Sequence, residues 1–590
     1  MSILDDLLAT RGLTRQDFPP LKREASSQGV ARSRCLERVA GLSRRDPDAE
    51  ALALVGPLSA ALRREESTAV LRPVQALALA ELYEREGLLA GIEVGAGKTL
   101  ISYLAPSVVY ARRPVLLIPA RLREKTRRDF DALALEWISP SVIYTILSYE
   151  EMSREDRATL IDDLAPDLIV ADEAHHLKNP RAAVTRRVGR YLRRGACRFV
   201  GMSGTLTTRS LRDFAHLAAW ALGQDAPVPL HEPTLREWCA ALDPGVDDGW
   251  RISPGMLLEA LPPAADDEVP DDLERARAGL RRRIRETSAC VITRRSECPA
   301  SIYVEEVALE PHPPEVEAAL CRLRHDWETP GGEPLEEAAR VWAVAQQVVL
   351  GFYYELDPPA PRDWREARRT WSSACREVLE GNRRDLDTAR QVATAVDRGL
   401  YPGAEDALAA WRAVRDTFTP RRVARWLSHA PLARVACLDA GGPAIWWTSH
   451  VEFGRALATC MDAPYAGEQG RLADGRLIDD LAGGCSVVAS VQSCGTGRNL
   501  QAWSRSVITC PPADAGTWEQ LLGRTHRQGQ LADVVEVVIA VGCAESRAAV
   551  DKAFGEARYV EQTTGAPQRL LRADWPARGG QQAKPDGERT

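Results

Sequence analysis

A glycine-rich loop, Gly95-Ala96-Gly97-Lys98-Thr99, follows a short apolar run, Leu88-Leu89-Ala90-Gly91-Ile92, and leads into a stretch of helical character. Strand, tight turn and helix in direct succession bring a loop of backbone N–H groups to a helix N-terminus. Other apolar runs follow: Val115-Leu116-Leu117-Ile118, Val142-Ile143-Tyr144-Thr145, Leu168-Ile169-Val170-Ala171 and Arg198-Phe199-Val200-Gly201-Met202. They are continuous rather than alternating, as strands covered on both faces must be, and helical stretches separate them. A second set appears late, at Ala444-Ile445-Trp446-Trp447-Thr448, Ser486-Val487-Val488-Ala489-Ser490, Ser506-Val507-Ile508-Thr509-Cys510 and 534–540. The pattern predicts an α/β fold of two parallel-sheet lobes, with polar residues at the carboxyl ends of strands, where open sheets bind ligands.

A chain of 590 residues holds two or three domains at roughly 100–200 residues each. The expected division is a helical N-terminal accessory region at 1–66 and a first lobe with helical extension at 67–300. A helical insertion rich in Trp and Arg at 301–440, a second lobe at 441–570 and a disordered tail at 571–590 complete it. No apolar run is long enough to span a bilayer, and the acidic start Met1-Ser2-Ile3-Leu4-Asp5-Asp6 lacks a signal pattern, so a cytoplasmic protein without membrane contact is expected. The 13 cysteines are scattered without Cys-x-x-Cys pairs and read as buried thiols. A net charge of −7 disfavours a protein that coats nucleic acid but permits one that grips it in a cleft. Basic clusters at 112–128, 186–198 and 275–285 suit either solvated helix faces or such a grip.

In the glycine-rich loop, the N–H groups of Gly95, Ala96, Gly97 and Lys98 would surround nucleotide phosphates, Lys98 would reach the β- and γ-phosphates, and Thr99 would ligate magnesium. Ile92 stands where the strict pattern has glycine. About 75 residues after the loop, an apolar strand ends in Asp172-Glu173-Ala174-His175-His176-Leu177-Lys178-Asn179. Asp172 would hold the magnesium through water and Glu173 would polarise the attacking water. Arg524 and Arg527, in Gln520-Leu521-Leu522-Gly523-Arg524-Thr525-His526-Arg527-Gln528, are three apart; on one helix face they would clamp a γ-phosphate from the second lobe. The chain has only six lysines and three asparagines, yet Lys98, Lys178 and Asn179 all fall in these segments.

Together these segments resemble helicase superfamily two, and within it the Swi/Snf-type DNA translocases. The Leu177-Lys178-Asn179 extension resembles theirs, and Leu71-Arg72-Pro73-Val74-Gln75 resembles their adenine-side segment, which implies Gln75 as adenine reader. Ser203-Gly204-Thr205-Leu206 resembles the coupling segment, with Leu in place of Pro. Arg294-Arg295 with Pro299 resembles the segment that joins the lobes. Ser493-Cys494-Gly495-Thr496-Gly497-Arg498-Asn499-Leu500 resembles one that touches both DNA phosphate and nucleotide. The likeness covers about 70–310 and 440–545 and implies RecA-like lobes, with ATP and Mg as cofactors and DNA, chiefly double-stranded and held through its phosphates, as partner. Gly351-Phe352-Tyr353-Tyr354 with Trp364 and Trp371 resembles small phage-encoded proteins of this group.

Three functions are open at this stage: an ATP-driven translocase on duplex DNA, a strand-separating DNA or RNA helicase, and a non-hydrolysing scaffold. Intact Lys98, Asp172, Glu173 and Arg527 oppose the last. Trp364 and Trp371 lie seven apart, with Ala367 and Ala374 similarly spaced. That makes an apolar helix stripe suited to packing or, alternatively, an aromatic platform for bases.

Overall fold

In β2 (Pro114–Ile118), which follows β1 (Leu88–Gly91), the period-two geometry of a strand sends Val115 and Leu117 into one apolar core and Leu116 and Ile118 into another. The remaining strands of this sheet are β3 (Thr145–Ser148), β4 (Leu168–Asp172), β5 (Arg198–Ser203) and β6 (Cys290–Ile292). All pair in parallel in the order β3-β2-β4-β5-β1-β6. The structure, a computed structural model, describes residues 29–578 except 141, 196, 247–249, 265–268, 270, 295–297, 334, 336–337, 381–385, 387 and 496.

The second sheet is also wholly parallel, in the order β11-β12-β10-β13-β14-β7. Its strands are β7 (Ser301–Ala308), β10 (Ile445–Thr448), β11 (Tyr465–Ala466), β12 (Val487–Ser490), β13 (Arg505–Ile508) and β14 (Val534–Val541). Trp446 and Trp447 are fully buried on its opposite faces. A separate antiparallel ribbon joins β8 (Phe352–Leu356) and β9 (Arg422–Trp426). Two RecA-like parallel-sheet lobes are therefore present, as the strand pattern predicts.

The helices needed below are α1 (Pro73–Arg85), α2 (Lys98–Val108), α3 (Asp272–Glu286), α4 (Ala338–Val348), α5 (Arg362–Glu380), α6 (Ala389–Asp397), α7 (Glu405–Val414), α8 (Ala515–Thr525) and α9 (Ala544–Thr564). Among the described residues, no helix is long and apolar enough to cross a membrane.

Several elements differ from the sequence reading. The strand expected at 142–145 is β3, three residues later, because Thr145 is the residue that pairs with Val115. Ile143 is 91% exposed, and Tyr144 turns inward to donate to the Ser102 carbonyl at 2.7 Å. The segment 301–440 is not all helix: β7 completes the second sheet, and β8 and β9 form the base of the insertion. The described part of 1–66 packs onto the first lobe, with Leu36 and Val39 in one of its cores and Ala51 in the other. Residues 1–28 and 579–590 lie outside the described residues, but 571–578, expected as part of a disordered tail, is ordered, with Trp575 buried in a core of the second lobe.

Two features cross between the lobes. The insertion stands on the second lobe, yet Arg186 of the first lobe donates to the Leu379 and Leu386 carbonyls at 2.7 and 2.6 Å. At the C-terminal end, Tyr559 of α9 donates to Asp243 at 2.7 Å, and Arg277 of α3 donates to Gln562 at 2.9 Å. Past Gly565, a short helix (Arg569–Arg572) returns to the second lobe, where Asp574 bridges to Tyr303 of β7.

Candidate active site

β1 ends at Gly91, and the chain turns through Gly95 (φ +96°) and Gly97 (φ +84°) before α2 begins at Lys98. Both glycines occupy the left-handed region that a side chain would strain. Gly97 is also sterically fixed, because an added Cβ would lie 2.0 Å from Gln75 Nε2. Gln75 holds the loop rather than standing free. Its Nε2 donates to the Ala96 and Gly97 carbonyls at 3.3 and 3.4 Å, and its Oε1 accepts from the Arg72 N–H at 2.9 Å. The Lys98 ammonium is buried and donates to the Ile92 carbonyl at 3.0 Å. Thr99, one residue into α2, is half-buried.

Asp172 ends β4, and Glu173 follows in the left-handed region at φ +56°. That turn leaves both carboxyls within reach of the Lys98 charge. Burial, and then the neighbouring Glu173 carboxylate, push the Asp172 carboxyl above its usual range. Burial also opposes ionisation of Glu173. Lys98, the contact with His175 and Arg524 outweigh it and hold Glu173 below the usual range. The pair thus favours a charged Glu173 beside a more basic Asp172. His175 Nδ1 lies 3.3 Å from Glu173 Oε2 and 3.1 Å from Ser203 Oγ, joining the end of β4 to the end of β5. His176 stacks on Tyr149, whose hydroxyl donates to the Asp172 carbonyl at 2.7 Å.

The arginines come from the other lobe, though not from one helix face as their spacing suggests. α8 ends at Thr525, His526 leaves helical geometry with ψ +85°, and Arg527 lies in the turn beyond. The two guanidinium groups still meet, because Nη1 of Arg524 and Nη1 of Arg527 both donate to the Arg498 carbonyl, at 3.0 and 3.3 Å. Asn499 accepts from Arg527 at 2.6 Å. A Cβ added to Gly95 would lie 3.7 Å from the Arg527 side chain, so Arg527 rests on the glycine-rich loop across the lobe boundary. Its Nε is buried with no hydrogen-bond partner among the described residues. Burial and the nearby Arg527 lower the Arg524 pKa to about 9.

All ten residues singled out in the sequence, namely Gln75, Gly95, Ala96, Gly97, Lys98, Thr99, Asp172, Glu173, Arg524 and Arg527, belong to this junction. Three more are legible only in three dimensions. Arg569, 4% exposed, pairs with Glu93 just before the loop and with Glu519 of α8 at 3.0 Å, and it donates to His526 at 3.2 Å. None of the three is marked by a motif: Glu93 lies between Ile92 and Val94, Glu519 between Trp518 and Gln520, and Arg569 in a segment with no signature. Arg294 pairs with Asp48, while Arg295 and Thr496 lie outside the described residues.

Breaking a buried ion pair costs about 3–5 kcal/mol, since one charge is left uncompensated. Arg569→Gln is therefore expected to lower the urea midpoint clearly, and adding Glu93→Gln to recover part of the loss. An unchanged midpoint in the single variant would mean that the junction is solvated.

No protein-family profile matches this chain, and no curated protein matches it.

Proposed function

We propose that the chain is an ATP-driven motor of the Swi/Snf type within helicase superfamily two, which hydrolyses ATP and moves along duplex DNA. The observation that carries this reading is Arg527, presented by the second lobe against Gly95 in the first. A nucleotide phosphate bound there would meet backbone N–H groups and Lys98 from one side and guanidinium groups from the other. Closing and opening the lobes would then follow phosphate binding and release.

The residues fit the groups they would hold. The left-handed glycines give the tight turn that a phosphate loop needs, and the buried Arg527 Nε lacks an acceptor that a phosphate would supply. The Asp172 carboxylate and Thr99 hydroxyl are the hard oxygen donors that magnesium prefers. Held by these two residues, magnesium would supply positive charge against the nucleotide phosphates. Glu173, held ionised, would orient and deprotonate the attacking water. The bond from His175 to Ser203 would link that base to the end of β5, at Ser203-Gly204-Thr205.

The choice of duplex DNA rests on the likeness of 172–179 and 493–500 to Swi/Snf-type segments. ATPase assays without nucleic acid and with duplex DNA, single-stranded DNA or RNA test it. Duplex DNA is expected to stimulate most, with displacement of a triplex-forming strand and little unwinding of a blunt duplex. Stimulation by RNA or single strands alone, or efficient unwinding of a tailed duplex, would overturn it. Binding is expected to be indifferent to sequence and to weaken steeply with salt, because phosphates are the ligands. Titration of two unrelated duplexes checks this, and affinity flat with salt would contradict it.

A further inference from the structure

The insertion carries an open groove of about 1050 Å³ beside the second lobe. Two helices form its walls. On α4, Arg340, Val344 and Gln347 recur every three or four residues and so share a face. On α5, Arg365, Arg368, Arg369 and Ser372 do the same. The β8–β9 ribbon supplies the floor, where Leu356 pairs across strands with Arg422 and both project to one side.

The arginine face of α5 is outward because its aromatic face is inward. Trp364 and Trp371 are 5% and 6% exposed. Trp364 packs on Trp411 of α7 and on Phe418 at ring separations of 5.5 and 5.2 Å. Trp371 joins a core with Val392 and Val396 of α6. The packing interpretation of the Trp stripe is therefore correct, and no aromatic platform for bases forms from these two rings.

Charge in the groove is unbalanced. Of its carboxylates, Glu355 pairs with Arg425 at 2.5 Å and Glu366 with Arg362 at 2.7 Å. Glu333 remains as a third acid in the lining. Arg340, Arg365 and Arg422 are exposed and have no acidic partner within salt-bridge distance among the described residues. Three guanidinium groups with no salt-bridge partner among the described residues, on three elements, line one concavity, and Gln347 and Tyr354 line it too. The concavity is far larger than one small anion, so the chemistry suits a chain of phosphates.

The groove is anchored at the carboxyl edge of the second sheet. Gln346 of α4 accepts from the Cys510 thiol at 3.0 Å, just past β13, and the Tyr354 ring lies 6.1 Å from that of His450, just past β10. A polymer engaged at that edge has the groove next to it.

We propose that this groove holds the phosphodiester backbone of duplex DNA as an anchor outside the cleft between the lobes. The inference rests on the motor reading above and adds to it a surface in the insertion. Each phosphate contact contributes about 0.9 to the slope of log affinity against log salt.

The test uses the full chain with Arg340→Gln, Arg365→Gln and Arg422→Gln, singly and combined, and a short fluorescent duplex titrated with KCl. The combined variant is expected to lose about 2–3 from the slope and each single variant about 1. Arg412→Gln, which breaks a pair with Asp397 outside the groove lining, serves as the control and is expected to keep the wild-type slope. Wild-type slope and affinity in the combined variant, with wild type binding the duplex, would overturn the groove assignment alone. Failure of wild type to bind duplex DNA at all would overturn the motor reading and this inference with it. Loss of inorganic polyphosphate binding with duplex binding intact would overturn the assignment to DNA. The three side chains are exposed, so loss of fold is not expected; the single variants keep the test decisive if the combined one melts early.

Discussion

Arg527→Ala is expected to reduce ATP turnover by about 10³- to 10⁵-fold, the range of a guanidinium that stabilises charge on a transferring phosphoryl group. ATP affinity should change little, because the glycine-rich loop and Lys98 belong to the other lobe. The geometry gives this expectation its form. Arg527 rests on Gly95, held from behind by the Arg498 carbonyl and Asn499. Truncation removes a charge already in position and leaves the loop intact. Steady-state ATPase with a separate nucleotide-binding titration distinguishes the two effects. A pure affinity loss with normal turnover would show that the second lobe does not complete the site.

Glu173→Gln is expected to bind ATP and hydrolyse it about 10²- to 10⁴-fold more slowly, as for loss of a positioned general base. Glutamine keeps the shape but cannot take a proton from water. Glu173 is 7% exposed, and the charges of Lys98 and Arg524 keep it ionised. Burial chiefly, and the Glu173 charge next, raise the Asp172 carboxyl pKa, and the substitution removes the second of these. Magnesium binding should therefore persist. Single-turnover hydrolysis with trapped nucleotide measures the step directly, and wild-type turnover in this variant would remove Glu173 from the chemistry.

The central strands of both sheets were legible in the sequence because they are buried on both faces and read as continuous apolar runs. β7 was not, because an edge strand alternates: Ile302 and Val304 point inward while Ser301, Tyr303 and Glu305 are more exposed. β6 and β11 are too short to show a pattern. The candidate site was legible where chemistry demands particular residue types at fixed spacing, as at Lys98 and Asp172-Glu173. It was not legible where a single arginine arrives from far along the chain. Arg569 meets Glu93 only because α9 crosses to α3 and the chain then turns back at Gly565. The spacing of Arg524 and Arg527 correctly suggested a pair but misjudged its backbone, since the helix ends between them.

The pairing of β7 with β14 also sets an order of events on the ribosome. The strands of the first lobe run unbroken from 88 to 292, so that lobe can fold while the rest is still being made. β7 emerges next, but β14, the strand it pairs with, is not synthesised until the whole insertion has followed. During that interval an unpaired strand carrying Ile302 and Val304 is a template for association with another nascent chain. Glu305 and Glu306 lie within the same strand, and adjacent charges of one sign oppose such pairing. In the finished protein Glu306 is neutralised by Arg578, one of the last described residues to be added. The charges that guard β7 during synthesis are thus partly answered only after its proper neighbour has arrived.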